Sequence, residues 1–380
     1  MDFDIPEELL LLRKTVRQFV EERLRPLERQ VENEDRIPAE LLAEMGRLGF
    51  FGLPFPEEYG GVGAGDLGYC LALEEFGRAS AAFSNVIGAH TSIGTMSIFL
   101  AATEEQKRRY MPDLCAGRRI AAFSLTEPGA GSDAASLQTT AVSRGDGWVL
   151  NGTKIWVTNG PIADVVVVYA ATDRSLGARG ITAFIVERGV PGFRVGKVDE
   201  KMGLRGSQTS ELLFEDCEVP AENVLGGEVG EGFRAALAAL EIGRVSLAAG
   251  AVGSSQYLLE LAIAHSKGRA QFGRPIASNQ AIQWMLADSA VEIHAARLMV
   301  YDAACKLDQG RRIPTEAAMA KLYASEMAGR VADRVLQIHG GMGYMKDLGI
   351  ERAYRDARIL RIYEGTSEVQ RMIIAEELLR

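Results

Sequence analysis

The sequence predicts an α+β chain of three parts: an all-α domain over 1–119, an antiparallel β sandwich or barrel over 120–227, and a C-terminal four-helix bundle over 228–380. Three observations carry this. Apolar residues in the first third recur at helical spacing, the middle breaks into short runs separated by turn residues, and the last third holds three long stretches without proline.

In the first part, Leu9, Leu12, Val16, Phe19, Val20 and Leu24 mark one helical face between about Pro6 and Val31. Pro38–Leu48, Leu67–Arg78, His90–Ala101 and Glu104–Cys115 repeat that spacing. The Pro- and Gly-dense stretch 52–65 reads as an irregular loop. Gly63, Gly65 and Gly68 satisfy GxGxxG, but no buried strand precedes them, so a dinucleotide fold is not expected. From Ile120 to Pro220 the chain reads as β. Asp146-Gly147, between Thr139–Ser143 and Trp148–Leu150, is a hairpin signal, and Asn151-Gly152 and Asn159-Gly160 mark further turns. Val165–Ala171, Ile181–Val186 and Glu211–Phe214 read as strands. Phe233–Gly268, Asn279–Gln309 and Thr315–Ile338 would form rods of roughly 35–55 Å. The small residues Ala248, Ala249, Gly250, Ala251 and Gly253 suggest a surface for subunit packing.

The chain has 380 residues, 47% hydrophobic and 24% charged, which places it among globular proteins with a large core. A net charge of −9 argues against nonspecific nucleic-acid binding, while leaving room for a local Arg/Lys pocket for a phosphorylated ligand. Residues 1–8 lack the basic and apolar regions of a signal peptide, and no apolar run reads as a ~20-residue membrane span, so a cytoplasmic location is expected. Cys70, Cys115, Cys217 and Cys305 are scattered, which fits packing thiols in a reducing compartment. His90, His265, His294 and His339 show no zinc spacing, and neither His294 nor His339 follows a glutamate by three residues, so no metal site is expected.

The segment that concentrates chemistry is Arg361–Gln370. Ser367 and Gln370 stand at capping-box spacing before a short amphipathic helix, which puts Glu364 on the turn leading into it. A carboxylate or a ligand oxygen there would meet unpaired backbone N–H groups. Thr126–Asp133 could bring backbone donors close to a ligand or form a plain turn, and Trp156-Val157-Thr158 closes a strand. Arg269–Pro275 separates two long helices and could offer a phosphate its guanidinium, or merely end a helix.

Together and in order, Pro56-Glu-Glu-Tyr-Gly-Gly61, Leu125–Asp133, Trp156–Gly160, Arg269-x-x-Phe-Gly273, Gln337-x-x-Gly-Gly341 and Tyr363–Ser367 resemble the acyl-CoA dehydrogenase family over nearly the whole chain. The resemblance implies FAD between the β domain and the bundle of a homotetramer, an acyl-CoA substrate and an electron-transfer flavoprotein as acceptor. It places Phe123, Leu125, Thr126, Gly131, Ser132, Trp156, Val157 and Thr158 along the flavin. Arg269, Gln271, Phe272, Gln280, Gln337, Gly340 and Gly341 would reach the adenosine and pyrophosphate of a neighbouring subunit's FAD, with Thr366 and Glu368 completing the site. Ser132, Arg244, Ser266, Arg269, Tyr363 and Gly365 would contact acyl-CoA, and Glu364 would abstract its α-proton. The isovaleryl and long-chain branches place their base immediately before the arginine matching Arg244. That position is Gly243 here, as in the short-chain type. No Arg or Lys occurs in 81–99, which disfavours a dicarboxylic substrate. The implied reaction is α,β-dehydrogenation of a short- to medium-chain acyl-CoA. An oxygen-using oxidase or monooxygenase, or a non-catalytic acyl-CoA-binding protein, would be alternatives on the same scaffold.

Overall fold

A computed structural model describes residues 5–380. Seven helices come first: α1 (Glu7–Phe19), α2 (Glu28–Glu34), α3 (Ala39–Arg47), α4 (Gly65–Phe76), α5 (Ala81–Gly88), α6 (Met96–Ala101) and α7 (Glu104–Cys115). The expected Pro6–Val31 helix is two helices joined by π and 3-10 turns at Val20–Leu27, where Pro26 cannot donate to an α ladder. The expected His90–Ala101 helix begins earlier, as α5, and passes through a π-helical stretch at Ala89–Thr95 before α6. A capping box starts α7: Gln106 N donates to Thr103 Oγ1 at 3.3 Å and Thr103 N to Gln106 Oε1 at 3.0 Å.

The middle is one curled sheet of β1 (Ala121–Ser124), β2 (Thr140–Arg144), β3 (Gly147–Thr158), β4 (Val165–Ala171), β5 (Ile181–Glu187), β6 (Phe193–Val198) and β7 (Thr209–Pro220). Pairing is antiparallel except at β4, which carries β5 antiparallel on one edge and β1, then the start of β2, parallel on the other. Two turn signals are displaced. Arg144 pairs with Gly147, so the hairpin loop is Gly145-Asp146, with Gly145 at φ 63°. Asn151-Gly152 lies inside β3 as a bulge, where the Asn151 amide is bonded to Asp216 across the irregular register. Along β4, Val165, Val167 and Tyr169 pack with the helices, while Val166, Val168 and Ala170 fill the hollow of the sheet with Leu150 and Phe214.

After the sheet come α8 (Gly232–Gly268), a two-strand hairpin of β8 (Ala270–Gln271) and β9 (Arg274–Pro275), then α9 (Gln280–Asp308), α10 (Pro314–His339), α11 (Gly341–Tyr344), α12 (Ile350–Ala357) and α13 (Ser367–Leu379). The bundle is formed by α8, α9, α10 and α13. Of the described helices, α8 alone is long and apolar enough to cross a membrane, contrary to the expectation that no such run exists, and most of that stretch is buried inside the chain. Of its small residues, Ala248, Ala249, Ala251 and Gly253 are buried within the chain itself: a Cβ at Gly253 would run into the Glu74 carbonyl, so α4 closes on α8 there.

Candidate active site

After α12 the chain makes one 3-10 turn, Ile359–Arg361, and then two left-handed residues, Glu364 at φ 52° and Gly365 at φ 90°. Gly365 adopts that conformation at little cost, but Glu364 does not, and the strain is held by neighbours. The Glu364 carbonyl accepts from Arg244 Nε at 3.3 Å and Gln370 Nε2 at 3.1 Å. The Gly365 carbonyl accepts from Gln370 Nε2 at 3.0 Å and Lys321 Nζ at 2.5 Å. The cap of α13 is Thr366, which accepts from Val369 N at 3.3 Å, and not the expected Ser367. Ser367 instead donates to Glu326 Oε1 at 2.7 Å, and Gln370 turns back over the turn rather than closing a capping box.

The Glu364 side chain faces a cavity of about 440 Å³ between the sheet and the bundle. Its Oε2 is buried with no hydrogen-bond partner among the described residues, and burial pushes the carboxyl up to about 7 against the opposing pull of Lys321 and Arg244. Beneath it lies Gly243 of α8, where a Cβ would stand 2.7 Å from Oε2. A carboxyl poised near neutrality and open to a cavity is suited to taking up a proton.

Phe123, Leu125, Thr126, Gly131, Ser132, Trp156 and Thr158 line the sheet side of this cavity, and Arg244, Tyr363, Glu364 and Gly365 line the bundle side. Trp156 stands at φ 55° with its side chain exposed, and the Thr126 and Thr158 hydroxyls make no hydrogen bond among the described residues. A flat aromatic face flanked by two free hydroxyls fits a planar heterocycle with polar edges. Under this wall lies an ion pair that the sequence did not reveal. Lys154 Nζ donates to Glu127 Oε1 at 2.7 Å and to the Leu125 carbonyl at 3.1 Å, both side chains being buried. Glu127 also accepts from the backbone N–H groups of Gln138 and Thr139. Burial opposes its charge, but Lys154 and these bonds hold its carboxyl below the usual range, and burial pulls Lys154 down to about 8. The pair fixes residues 125–127, where the chain leaves β1 to form the cavity wall.

Leu237, Leu240 and Leu247 of α8, with Asn85, Ala89 and Ile93, supply a largely apolar wall that motif reading had not assigned. Its signal was only the general apolar character of α8.

Other expected residues stand apart. Val157 is buried in the sheet core and turns its side chain away from the cavity. Ser266 is buried, with Oγ donating to the Ile263 carbonyl at 3.0 Å. Arg269 ends α8, roughly 39 Å along that helix from Gly243, too far to complete the same cavity. Gln271 and Phe272 lie on the exposed hairpin after it, with Phe272 fully exposed at φ 50°. Gln280 opens α9, while Gln337, Gly340 and Gly341 surround the α10–α11 junction, outside the cavity wall. Thr366 is committed as a cap, and Glu368 is exposed in the first turn of α13.

Family models for the N-terminal, middle and C-terminal domains of acyl-CoA dehydrogenase match residues 6–118, 122–217 and 230–379. An acyl-CoA dehydrogenase of Bacillus subtilis is 47% identical over 375 residues, covering 99% of both chains. An acryloyl-CoA reductase (NADH) of Anaerotignum propionicum is 45% identical over all of this chain and 96% of the relative. The solved butyryl-CoA dehydrogenase of Megasphaera elsdenii superposes with a TM-score of 0.98 at 43% identity, each chain fully covered. With three domains matched in order and full-length relatives at this identity, the chain belongs to the acyl-CoA dehydrogenase family of FAD-dependent oxidoreductases.

Proposed function

We propose that the chain removes the α and β hydrogens of a short- to medium-chain acyl-CoA, with Glu364 as the base and an electron-transfer flavoprotein as acceptor. The observation that carries this is the unpartnered, buried Oε2 of Glu364 facing the cavity between sheet and bundle. The α-proton of a thioester is too weakly acidic for a carboxylate to remove unless charge building on the thioester oxygen is stabilised. Glu364 N–H makes no hydrogen bond among the described residues and can donate to that oxygen. The three leucines of α8 would receive the acyl tail and exclude water, which favours the carboxylate as a base. FAD, held by Phe123–Ser132 and Trp156–Thr158 with Thr126 and Thr158 bonded to its ring, would supply the acceptor for the β-hydrogen and its electron pair.

Because the ionised form of Glu364 is the active one, turnover should rise with pH and level off above about 7. Below that point it should fall about tenfold per unit. A flat profile between pH 5.5 and 8.5 would show that another group limits the reaction.

Arg269, Phe272, Gln280, Gln337 and Gly341 stand outside the lining of the cavity that Glu364 faces, so we assign them to the FAD of a second copy in a homotetramer. Arg269→Ala should then lose flavin on dialysis and loosen the assembly. Unchanged flavin content and mass by light scattering would remove this assignment.

The likeness to an acryloyl-CoA reductase favours a second reading, in which the same site runs towards the saturated thioester and Glu364 returns the proton. The deciding experiment is anaerobic mixing with butyryl-, isobutyryl-, 2-methylbutyryl-, hexanoyl-, octanoyl- and glutaryl-CoA, following flavin absorbance. The reverse arm mixes dithionite-reduced protein with the matching enoyl-CoAs. Bleaching by one or two acyl-CoAs supports dehydrogenation, and reoxidation alone supports reduction. Neither response would favour an oxygen-using or a non-catalytic role.

A further inference from the structure

Lys321 lies in the first third of α10, is fully buried, and forms no ion pair among the described residues. A lysine in that position gives up its hydration and, in general, recovers it through a carboxylate. Here its one hydrogen bond among the described residues goes to a main-chain carbonyl, Gly365 O at 2.5 Å, in the residue next to the base. The same turn is gripped by Arg244 from α8 and by the buried Gln370 from α13, so three helices hold two consecutive carbonyls. Without that grip Glu364 would relax from its left-handed conformation and swing its carboxylate out of line.

We propose that Lys321 is a positioning residue for the base: its bond to the Gly365 carbonyl fixes the turn that presents Glu364, and its buried positive charge is set toward the Glu364 carboxylate without contacting it. The surrounding charges support this assignment. Lys321 is faced by Glu364 from the turn, Arg244 from α8, Glu326 from its own helix and Glu368 from α13. Glu326 is committed to Ser367 and Arg361, and Glu368 is exposed. Arg244 spends Nε on the Glu364 carbonyl. Glu364 is in turn faced by Lys321 and Arg244, with the hydroxyls of Tyr363 and Tyr69 nearby. The Glu364 carboxylate is thus the one buried anion that Lys321 is placed to stabilise, and burial holds the ammonium itself down to about 8.

The proposal rests on Glu364 being the base, so its test includes a readout that needs no substrate. The carboxyl stretch of Glu364 is titrated in the flavin-containing protein by infrared difference spectroscopy, with Glu364→Gln as the reference. In Lys321→Met the midpoint should move up by about one unit. The bleaching rate at pH 7 should fall about tenfold or more, with KM within about twofold, because the tail wall is untouched. Lys321→Arg, which keeps the charge, should leave the midpoint at its wild-type position. Lys321→Gln, which keeps a donor for Gly365 but not the charge, should raise the midpoint with a smaller loss of rate. An unchanged midpoint and an unchanged pH profile in Lys321→Met would overturn the proposal, whatever happens to thermal stability. If Lys321→Met does not fold, equal midpoints in Lys321→Gln and Lys321→Arg overturn it. Failure of every thioester to bleach the wild-type protein would instead remove the base assignment, while the infrared titration would still report on Lys321.

Discussion

Glu364→Gln should retain its flavin and its fold while losing turnover by about three to four orders of magnitude. The amide has the volume of the carboxyl it replaces but cannot accept the α-proton. None of the bonds that shape the turn involves the carboxyl group. Arg244, Gln370 and Lys321 all bind main-chain carbonyls, so the turn should survive the substitution. Stability should change little, because relief of a buried carboxylate is offset by the loss of its attraction to Lys321 and Arg244. Among the described residues two other carboxylates border the cavity, and neither is equipped to substitute. Asp133 is exposed and accepts from Ser136 Oγ at 2.5 Å. Asp356 is buried and accepts from Leu204 N at 2.6 Å. Stopped-flow bleaching by butyryl-CoA, with flavin content and melting temperature measured alongside, makes the comparison. Retention of more than about a tenth of the wild-type rate would show that the proton goes elsewhere, because general-base contributions of this kind are at least about a hundredfold.

Features legible in the sequence were those in which one local rule acts alone. The long helices of the bundle and the fully apolar β4 are read directly from spacing, and Glu364 from a contiguous motif. Local rules slipped by one residue where two candidates compete. Thr366 and Ser367 can each cap a helix, and Ser367 was released because Glu326, on another helix, offers it a carboxylate. Gly145 and Gly147 flank Asp146, and the register of β2 with β3 chose Gly145. β6 is hard to read because it is a short edge strand with no fully buried residue, and its only alternation, Phe193-Arg194-Val195, is broken by Gly196 and Lys197. The polar framework beneath the site was out of reach. Lys154 meets Glu127 through a fold of the sheet, and Lys321 meets a carbonyl 44 residues further along the chain. Nothing in their neighbours distinguishes them from solvated lysines. The small residues of α8 signalled close packing correctly, but spacing does not say whether the partner is α4 or another subunit.

Gly243→Ala should cost about a hundredfold in turnover although it adds one methyl group and removes nothing. A Cβ at 243 would stand 2.7 Å from Glu364 Oε2 and 2.7 Å from Ile93 Cγ2, both well inside contact distance. Ile93 lies in the π-helical stretch joining α5 to α6, its backbone held between buried neighbours while its side chain is partly buried and borders the cavity. The carboxylate, with no hydrogen bond to hold Oε2, is the group that moves. A displacement of about 1 Å at a reacting atom is worth about a hundredfold in rate. The overpacking itself should cost about 1–3 kcal/mol, seen as a lower melting temperature. Ile93→Ala in the Gly243→Ala background should return part of both losses, a non-additivity that a double-mutant cycle would measure. Turnover within about threefold of wild type in Gly243→Ala would mean that Glu364 does not rest against α8 when it works. The same geometry gives a physical reason for the glycine. A carboxylate reaching in from the turn at 364 and a side chain rising from α8 at 243 claim the same space, so this cavity has room for a base from one of the two positions and not from both.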